Sequence, residues 1–529
     1  MFLRLSLSLV GVAVLCVSAH AQNASGTVIF RFDGPTHWSE QGAAVANAGD
    51  QNGDGINDML VAAPGECAVY LYSSTDGALI HTWYGERHAT GEGDFGCSID
   101  SIADLDGDGT RDIVIGERLH EHNGFPHAGQ AYVYSGSTDQ KIYTFSYDEY
   151  SSFFGAKVCV AGDLNMDGFE DILIGAPGAD IGGMSGVGFI HAYSGADGSL
   201  LYRIEGNSAT TRNLGSSMSR YHDTNGNNRD DFLVGWGYED LRLHNGRDGS
   251  ILNHWAGSGS TINPTVIARI HDWDGDGIKD FMTTGDGAGQ HDAAYIMAGW
   301  NGAVITTIDS LGGTIKAMTK VKDLSGDGVD DIAFGMPTTG SSQEHTVGLV
   351  QVHDGVTGDL LYAMPGERRL EQMGFSLANM GDINGDGLGN FLMGAPGTTF
   401  DFSVDRGTAH LFSCEQLPLT LAIPGPKAGE TFEARIFGAP WKADLYLCYS
   451  MSGAGPTPWN YGLAFDLSMP INHIVPFKAT DDGDAFFGPA PLPPSLPSGT
   501  QVWVQIFSYA PSVSGREFEL SNMVPVVLQ

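Results

Sequence analysis

Seven short stretches of this 529-residue chain carry oxygen-bearing side chains at spacings that suit a hard cation. They are Asp50-x-Asn52-x-Asp54-Gly55-Ile56-x-Asp58, Asp104-x-Asp106-x-Asp108-Gly109-Thr110-x-Asp112 and Asp163-x-Asn165-x-Asp167-Gly168-Phe169-x-Asp171. The fourth is Asp223-x-Asn225-x-Asn227-Asn228-Arg229-x-Asp231, and the fifth is Asp272-x-Asp274-x-Asp276-Gly277-Ile278-x-Asp280. Asp323-x-Ser325-x-Asp327-Gly328-Val329-x-Asp331 and Asp382-x-Asn384-x-Asp386-Gly387-Leu388-x-Asn390 complete the set. Oxygens at positions 1, 3 and 5 converge on one point, the glycine at 6 makes the sharp turn, and the carbonyl at 7 with the acid at 9 fills the shell. The chemistry this predicts is Ca²⁺ binding, with up to seven ions. Asn228 stands where the other copies have glycine, and Asn tolerates a left-handed backbone best among the alternatives. Copies four and seven hold two aspartates each and are expected to bind most weakly.

The residues that follow each loop exclude an EF-hand. Short apolar runs such as Met59-Leu60-Val61, Ile172-Leu173-Ile174 and Phe391-Leu392-Met393 read as buried strands, and no glutamate stands at position 12. The loops therefore join β-strands. Their starts lie 54, 59, 60, 49, 51 and 59 residues apart, the period of a repeat array. Each period also contains two further strands, for example Ala68-Val69-Tyr70-Leu71-Tyr72 and, after Asp76-Gly77, Leu79-Ile80-His81-Thr82-Trp83. Four strands per period is what one propeller blade needs.

A second motif flanks the loops. Upstream stand Phe95-Gly96, Phe154-Gly155, Leu214-Gly215 and Gly374-Phe375; downstream stand Ala62-Ala63-Pro64, Gly175-Ala176-Pro177, Gly335-Met336-Pro337 and Gly394-Ala395-Pro396. With these flanks the chain resembles the FG-GAP repeat family, the building block of the integrin α-subunit β-propeller, in its exported bacterial form. The resemblance covers roughly residues 27–416, with copies four and five degenerate at Gly235-Trp236-Gly237 and Thr283-Thr284-Gly285. It implies a propeller of four-stranded blades; with seven copies the fold expected is all-β, a seven-bladed propeller, followed by a small β-sandwich read from the short strands and Pro/Gly turns beyond it. The seventh repeat lacks a fourth strand, and Thr27–Gly34 imitates Leu200–Gly206. This N-terminal strand is expected to complete the last blade and hide its edge.

Three regions are expected. Residues 1–21, with Arg4, an apolar stretch and Ala19-His20-Ala21, read as a signal peptide. Residues 22–416 form the propeller, and the Pro-rich 417–529 forms the sandwich. No later run reaches the ~20 apolar residues of a membrane span. The formal charge of −37 owes 21 of its 63 acids to the loops and disfavours nucleic acid and anionic membranes. The five cysteines left after cleavage, Cys67, Cys97, Cys159, Cys414 and Cys448, are odd in number and lack metal spacing. Cys97 and Cys159 read as buried hydrophobes on innermost strands, with a Cys67–Cys97 bridge as an alternative.

The resemblance places ligand binding on the face opposite the calcium loops. There lie Trp38, Arg87, His88, Asp148-Glu149-Tyr150, Arg212, Arg368 and Arg369, and the loop Glu117–Gln130 with His120, Glu121, His122 and His127. Those histidines could make a transition-metal or acid/base site, or be incidental to a solvated loop. Asp481-Asp482-Gly483-Asp484 reads as a plain turn before a further cation site. No Gly-x-Ser-x-Gly, His-Glu-x-x-His, Walker or dinucleotide motif occurs. The function expected is a secreted or cell-surface, monomeric, calcium-binding adhesion module for an extracellular protein or glycan. The alternative is a carbohydrate-active lyase or hydrolase working on the loop face.

Overall fold

The computed structural model describes residues 27–413, apart from 87–93, 139, 208–211, 237–239, 257–261, 287–291, 310–312, 326–327, 340–346, 367–369 and 398–405. Outside that range it gives the backbone of Phe2–Ser6 and of the strands between 420 and 527. Contacts divide the chain into two units: Ser25–Lys322 with Asp330–Cys414, and Met1–Ala24 with Asp323–Val329 and Glu415–Gln529.

The first unit is a ring of seven four-stranded antiparallel sheets. In blade three, Lys157–Gly162, Asp171–Ala176, Phe189–Tyr193 and Leu200–Glu205 pair in chain order from the inside outward. The innermost strands of blades one to seven are Val45–Gly49, Ser98–Ile102, Lys157–Gly162, Ser217–Arg220, Ile262–Arg269, Ala317–Val321 and Ser376–Gly381. Each touches the next, and the seventh touches the first, so the ring is closed. The second strands are wholly buried in blades one, two, three, six and seven, which is why they read as unbroken apolar runs. The one helical turn among the described residues is Pro64–Glu66. No helix there is long and apolar enough to cross a membrane.

Closure happens as the repeat pattern requires. Thr27–Asp33 pairs antiparallel with Thr408–Ser413 and forms the outer strand of blade seven. Residues from the two ends of the ring therefore share one core, with Phe32, Val45, Leu392 and Leu411 buried together. Blades pack face to face through such mixed clusters; Leu60, Val69 and Trp83 of blade one meet Ile113 and Tyr132 of blade two.

The flanking glycines are the inter-blade contact. Gly155 has φ +85°, and its N–H donates to Gly175 O at 2.9 Å. A Cβ on Gly116 would stand 2.1 Å from Gly155 O, and one on Gly175 would stand 2.0 Å from Gly215 O. The Gly of one blade's Gly-Ala-Pro segment thus lies directly against the Phe-Gly glycine of the next, and a methyl group fits at neither. In copy seven the buried residue before the glycine is Met373, so the pair there is Met373-Gly374 and Phe375 follows it.

In the second unit, His473–Lys478, Asp444–Ser450, Gln501–Ser512 and Gly515–Leu520 form an antiparallel sheet, with Val524–Val527 also on Gln501–Ser512. Phe2–Ser6 pairs with Thr431–Phe437. Asp481–Asp484, Cys414 and the side chain of Cys448 lie outside the described residues. Cys67, Cys97 and Cys159 are not in disulfides, so Cys67 and Cys97 are not bridged. Cys159 sits on an innermost strand as expected; Cys97 precedes one and points its sulfur at Gly116 O and Gly155 O, both 3.5 Å away.

Candidate metal centres

Each loop joins the first and second strands of its blade, and its own hydrogen bonds fold it into a cup. Asp163 Oδ1 accepts from the N–H groups of Met166 and Asp167, and Oδ2 accepts from Gly168 N at 2.9 Å. Asn165 Oδ1 accepts from Asp167 N, and Asp167 Oδ1 accepts from Phe169 N, both at 2.9 Å. The same pattern recurs with Asp50, Asn52 and Asp54, with Asp104, Asp106 and Asp108, and with Asp272, Asp274 and Asp276. Asp382, Asn384 and Asp386 repeat it, with Leu388 N as the last donor. In copy four Asp223 collects N–H groups of Asn225, Gly226, Asn227 and Asn228, and Asn227 accepts from Arg229 N. Burial pushes the Asp223 carboxyl up, but these four donors outweigh it and hold the group below its ordinary range.

The sixth position needs the left-handed backbone that the sequence predicts. Gly55, Gly109, Gly168, Gly277, Gly328 and Gly387 have φ between +87° and +95°. Asn228 adopts φ +62°, and no atom approaches the corresponding glycine Cβ positions, so the Asn side chain meets no obstruction there. In copy six Asp323 accepts from Gly328 N at 2.7 Å and from Ser325 Oγ at 3.2 Å. Asp327 lies outside the described residues.

Carboxylate oxygens from positions 1, 3 and 5 converge to within 4.8 Å of one another in Asp104, Asp106, Asp108 and in Asp272, Asp274, Asp276. These two copies carry an acid at all three positions, and the donor set fits a hard, oxygen-seeking cation. The other copies substitute Asn or Ser at position 3, and copy four also has Asn at position 5.

Position 9 has a role that loop spacing alone does not reveal. Asp58, Asp112, Asp171, Asp231, Asp280, Asp331 and Asn390 are all fully buried. Asp171 Oδ2 accepts from Leu164 N in its own loop at 2.6 Å, and Oδ1 accepts from Gly195 N, in the turn between strands three and four, at 3.0 Å. Asp58, Asp112, Asp231 and Asp280 make the same two-sided connection to Gln51 and Ser74, Leu105 and Gly136, Thr224 and Gly246, and Trp273 and Gly299. Asp331 reaches Gly355 N at 2.8 Å, and Asn390 accepts from Ile383 N at 2.9 Å. Burial, reinforced by the neighbouring loop acids, pushes the Asp112 carboxyl up to about 7 and that of Asp171 up to about 6. A cation in the cup would relieve both causes. The signal for this staple was present in the sequence as the turn glycines Gly136, Gly195, Gly246, Gly299 and Gly355, where a Cβ would strike the carbonyl of loop position 8.

The opposite face gathers fewer of its expected residues. Within Glu117–Gln130, His120 is buried with Nδ1 3.1 Å from Glu117 Oε2, which also accepts from Tyr132 Oη at 2.7 Å. His122 engages Gln130 at 2.7 Å and lies 3.6 Å from Asp148, while His127 stacks on Phe153. Among the described residues these histidines form no metal-holding group. Glu121 is exposed, and Glu149 accepts from Asp180 N. Trp38 and Tyr150 are exposed large hydrophobics, and Arg212 is exposed. Arg87, His88, Arg368 and Arg369 lie outside the described residues.

Seven blades joined by acidic hairpin loops and paired inter-blade glycines define a β-propeller of the repeat type. An FG-GAP repeat model matches residues 154–193, and an FG-GAP-like repeat model matches residues 50–115. Integrin alpha-5 of Xenopus laevis is 32% identical over 227 residues, 39% of this chain and 21% of that protein. Integrin alpha-7 of Homo sapiens is 32% identical over 162 residues, 28% of this chain and 12% of that protein. Integrin alpha-2 of Mus musculus is 32% identical over 148 residues, 24% and 12% of the two chains. The matched stretches cover about a fifth or less of these relatives' length. The chain is an FG-GAP repeat protein with an integrin-α-like propeller.

Proposed function

We propose that this chain is a secreted, calcium-stabilised propeller acting as an extracellular binding or adhesion module for a protein or glycan. Residues 1–21 serve as its signal peptide, 22–416 as the propeller, and 417–529 as an appended β-sandwich; the protein works as a monomer. The observation that carries this reading is the convergent acidic cup of Asp104, Asp106 and Asp108, matched by Asp272, Asp274 and Asp276, in a loop that recurs in register around a propeller related to integrin α-subunits. Calcium is the cation such oxygen-only donors favour, and seven loops set its upper number. The ions act as clips holding the hairpins; the partner binds the opposite face, where Trp38 and Tyr150 stand exposed.

The test is a binding screen of the full chain against glycan arrays and extracellular proteins, with calcium and with a chelator, beside a reducing-sugar release assay. Binding that needs calcium supports the module. Sugar release with turnover overturns it in favour of a lyase or hydrolase.

A further inference from the structure

The central channel of the propeller holds a cavity of about 680 Å³ whose wall includes Arg111, Lys157, Arg220, Arg269 and Lys320. The chain has only 26 Lys and Arg residues and a formal charge of −37, so five cations on one wall run against the molecule's overall charge. The cavity's acids are Asp100 and Glu170.

The charges follow the repeat. Three residues before the first loop aspartate, blades four, five and six carry Arg220, Arg269 and Lys320. At loop position 8 the same blades carry Asp230, Lys279 and Asp330. In blade four, Arg220 Nε donates to Asp230 Oδ2 at 2.6 Å, and Nη1 donates to Glu170 at 2.8 Å. In blade six, Lys320 Nζ donates to Asp330 at 2.6 Å. Arg111 leans on Glu170 at 3.4 Å, and Lys157 exerts its field on half-buried Asp100. Blade five breaks the pattern, because its position 8 is Lys279 rather than an acid. Arg269 makes no ion pair among the described residues, and Asp230, the acid whose field reaches it, is already held by Arg220.

An unneutralised guanidinium on a partly desolvated wall is costly unless something compensates it. Burial, then repulsion from Arg220, lowers the Arg269 pKa. A guanidinium presents a planar fork of donors that matches the two oxygens of a carboxylate, phosphate or sulfate. The cavity has the size of an ordinary small-molecule site.

We propose that the Arg269 corner of the channel binds one small-molecule oxyanion, with Arg269 supplying the fork on a wall that also carries Arg111, Lys157 and Lys320. The phosphate, sulfate-ester and carboxylate groups share this chemistry. The proposal does not rest on the partner face.

Titration calorimetry on the full chain in calcium, at matched ionic strength in chloride, tests it with four separate probes: sodium sulfate, glucose 6-sulfate, glucose 6-phosphate and succinate. At least one is expected to bind one-to-one, weakened at least about tenfold by Arg269→Gln and unchanged by Arg247→Gln on an exposed turn. Lys279→Asp rebuilds the pattern of blades four and six; it is expected to raise the melting temperature and abolish binding. That variant decides the matter if Arg269→Gln does not fold. Absence of binding by all four probes, or binding that survives Lys279→Asp, overturns the proposal.

Discussion

The carboxylate of Asp171 shows how one atom group serves both loop and blade. Its two oxygens accept one N–H from the loop and one from the neighbouring turn, with no water-exposed surface. Removing it leaves Leu164 N and Gly195 N without their acceptor, at about 1–3 kcal/mol for each buried group. Asp171→Ala is therefore expected to destabilise by roughly 2–6 kcal/mol in urea titrations even with calcium chelated. Asp167→Ala, at an exposed position, is expected to matter mainly when calcium is present. Equal losses for both variants in chelator would show that position 9 acts only as a ligand. A second residue sets acid sensitivity. Burial, then the charge of Arg203, pushes His191 down to about 4 from 6.5. It packs against Phe189, Phe154 and Tyr147, with Nδ1 2.9 Å from Tyr193 Oη. The unfolded chain binds this proton between pH 6.5 and 4 and the folded one does not, so the contribution is complete above 6.5 and lost as pH falls toward 4. The slope from one such group is at most about 1.4 kcal/mol per pH unit. His191→Phe is expected to flatten the fall of the unfolding free energy over that window relative to wild type. A curve parallel to wild type would remove His191 from the account.

Strands and hairpins were the scale at which the sequence spoke most clearly. The apolar runs after each loop, the period near 50 and the likeness of Thr27–Gly34 to Leu200–Gly206 lead to the observed blades and to closure by the N-terminal strand. Those signals are local and repeated seven times, so each copy supports the others. What remained hidden was contact between elements distant in sequence. The staple from position 9 to the following turn, the packing of Gly116 on Gly155 and the identity of Met373 as the buried anchor of copy seven depend on which strands become neighbours. The scattered histidines of Glu117–Gln130 likewise could not be sorted by spacing, because Glu117 and Tyr132, which bind His120 into the core, come from the flanking strands. Closure makes a prediction at this scale. Thr408–Ser413 would expose one full edge without Thr27–Asp33, and unpaired edges recruit other chains. A chain lacking residues through Asp33 is expected to elute as larger assemblies than the full chain in size-exclusion chromatography, and an added peptide spanning 25–35 to return it to the full chain's elution. A truncation that elutes no larger than the full chain would mean the edge is protected by other means.

Over the whole molecule the acidic loops act against stability until something neutralises them. A third of the 63 acids are gathered in seven loops, and like charges a few ångströms apart repel. If every loop held Ca²⁺, 14 positive charges would reduce the formal −37 to about −23, with the relief concentrated where repulsion is greatest. An ion bound only by the native state stabilises it by RT ln(1 + [L]/Kd) per site, about 2.7 kcal/mol at a hundredfold excess over Kd. Several such sites together match the roughly 5–15 kcal/mol by which most folds survive. Excess EDTA is therefore expected to lower the melting temperature steeply, and the midpoint to climb with log calcium concentration. The climb should occur in steps, because the cups are unequal: Asp104-Asp106-Asp108 and Asp272-Asp274-Asp276 bring three carboxylates together, whereas copies four and seven hold two aspartates each. Neutralising one carboxylate in a strong cup, as in Asp106→Asn, should shift the low-calcium part of that curve, and Asn384→Ala only the high-calcium part. A melting temperature indifferent to EDTA would mean that the loops are held by their own hydrogen bonds alone, which the networks around Asp50 and Asp163 make the real competitor to the ion.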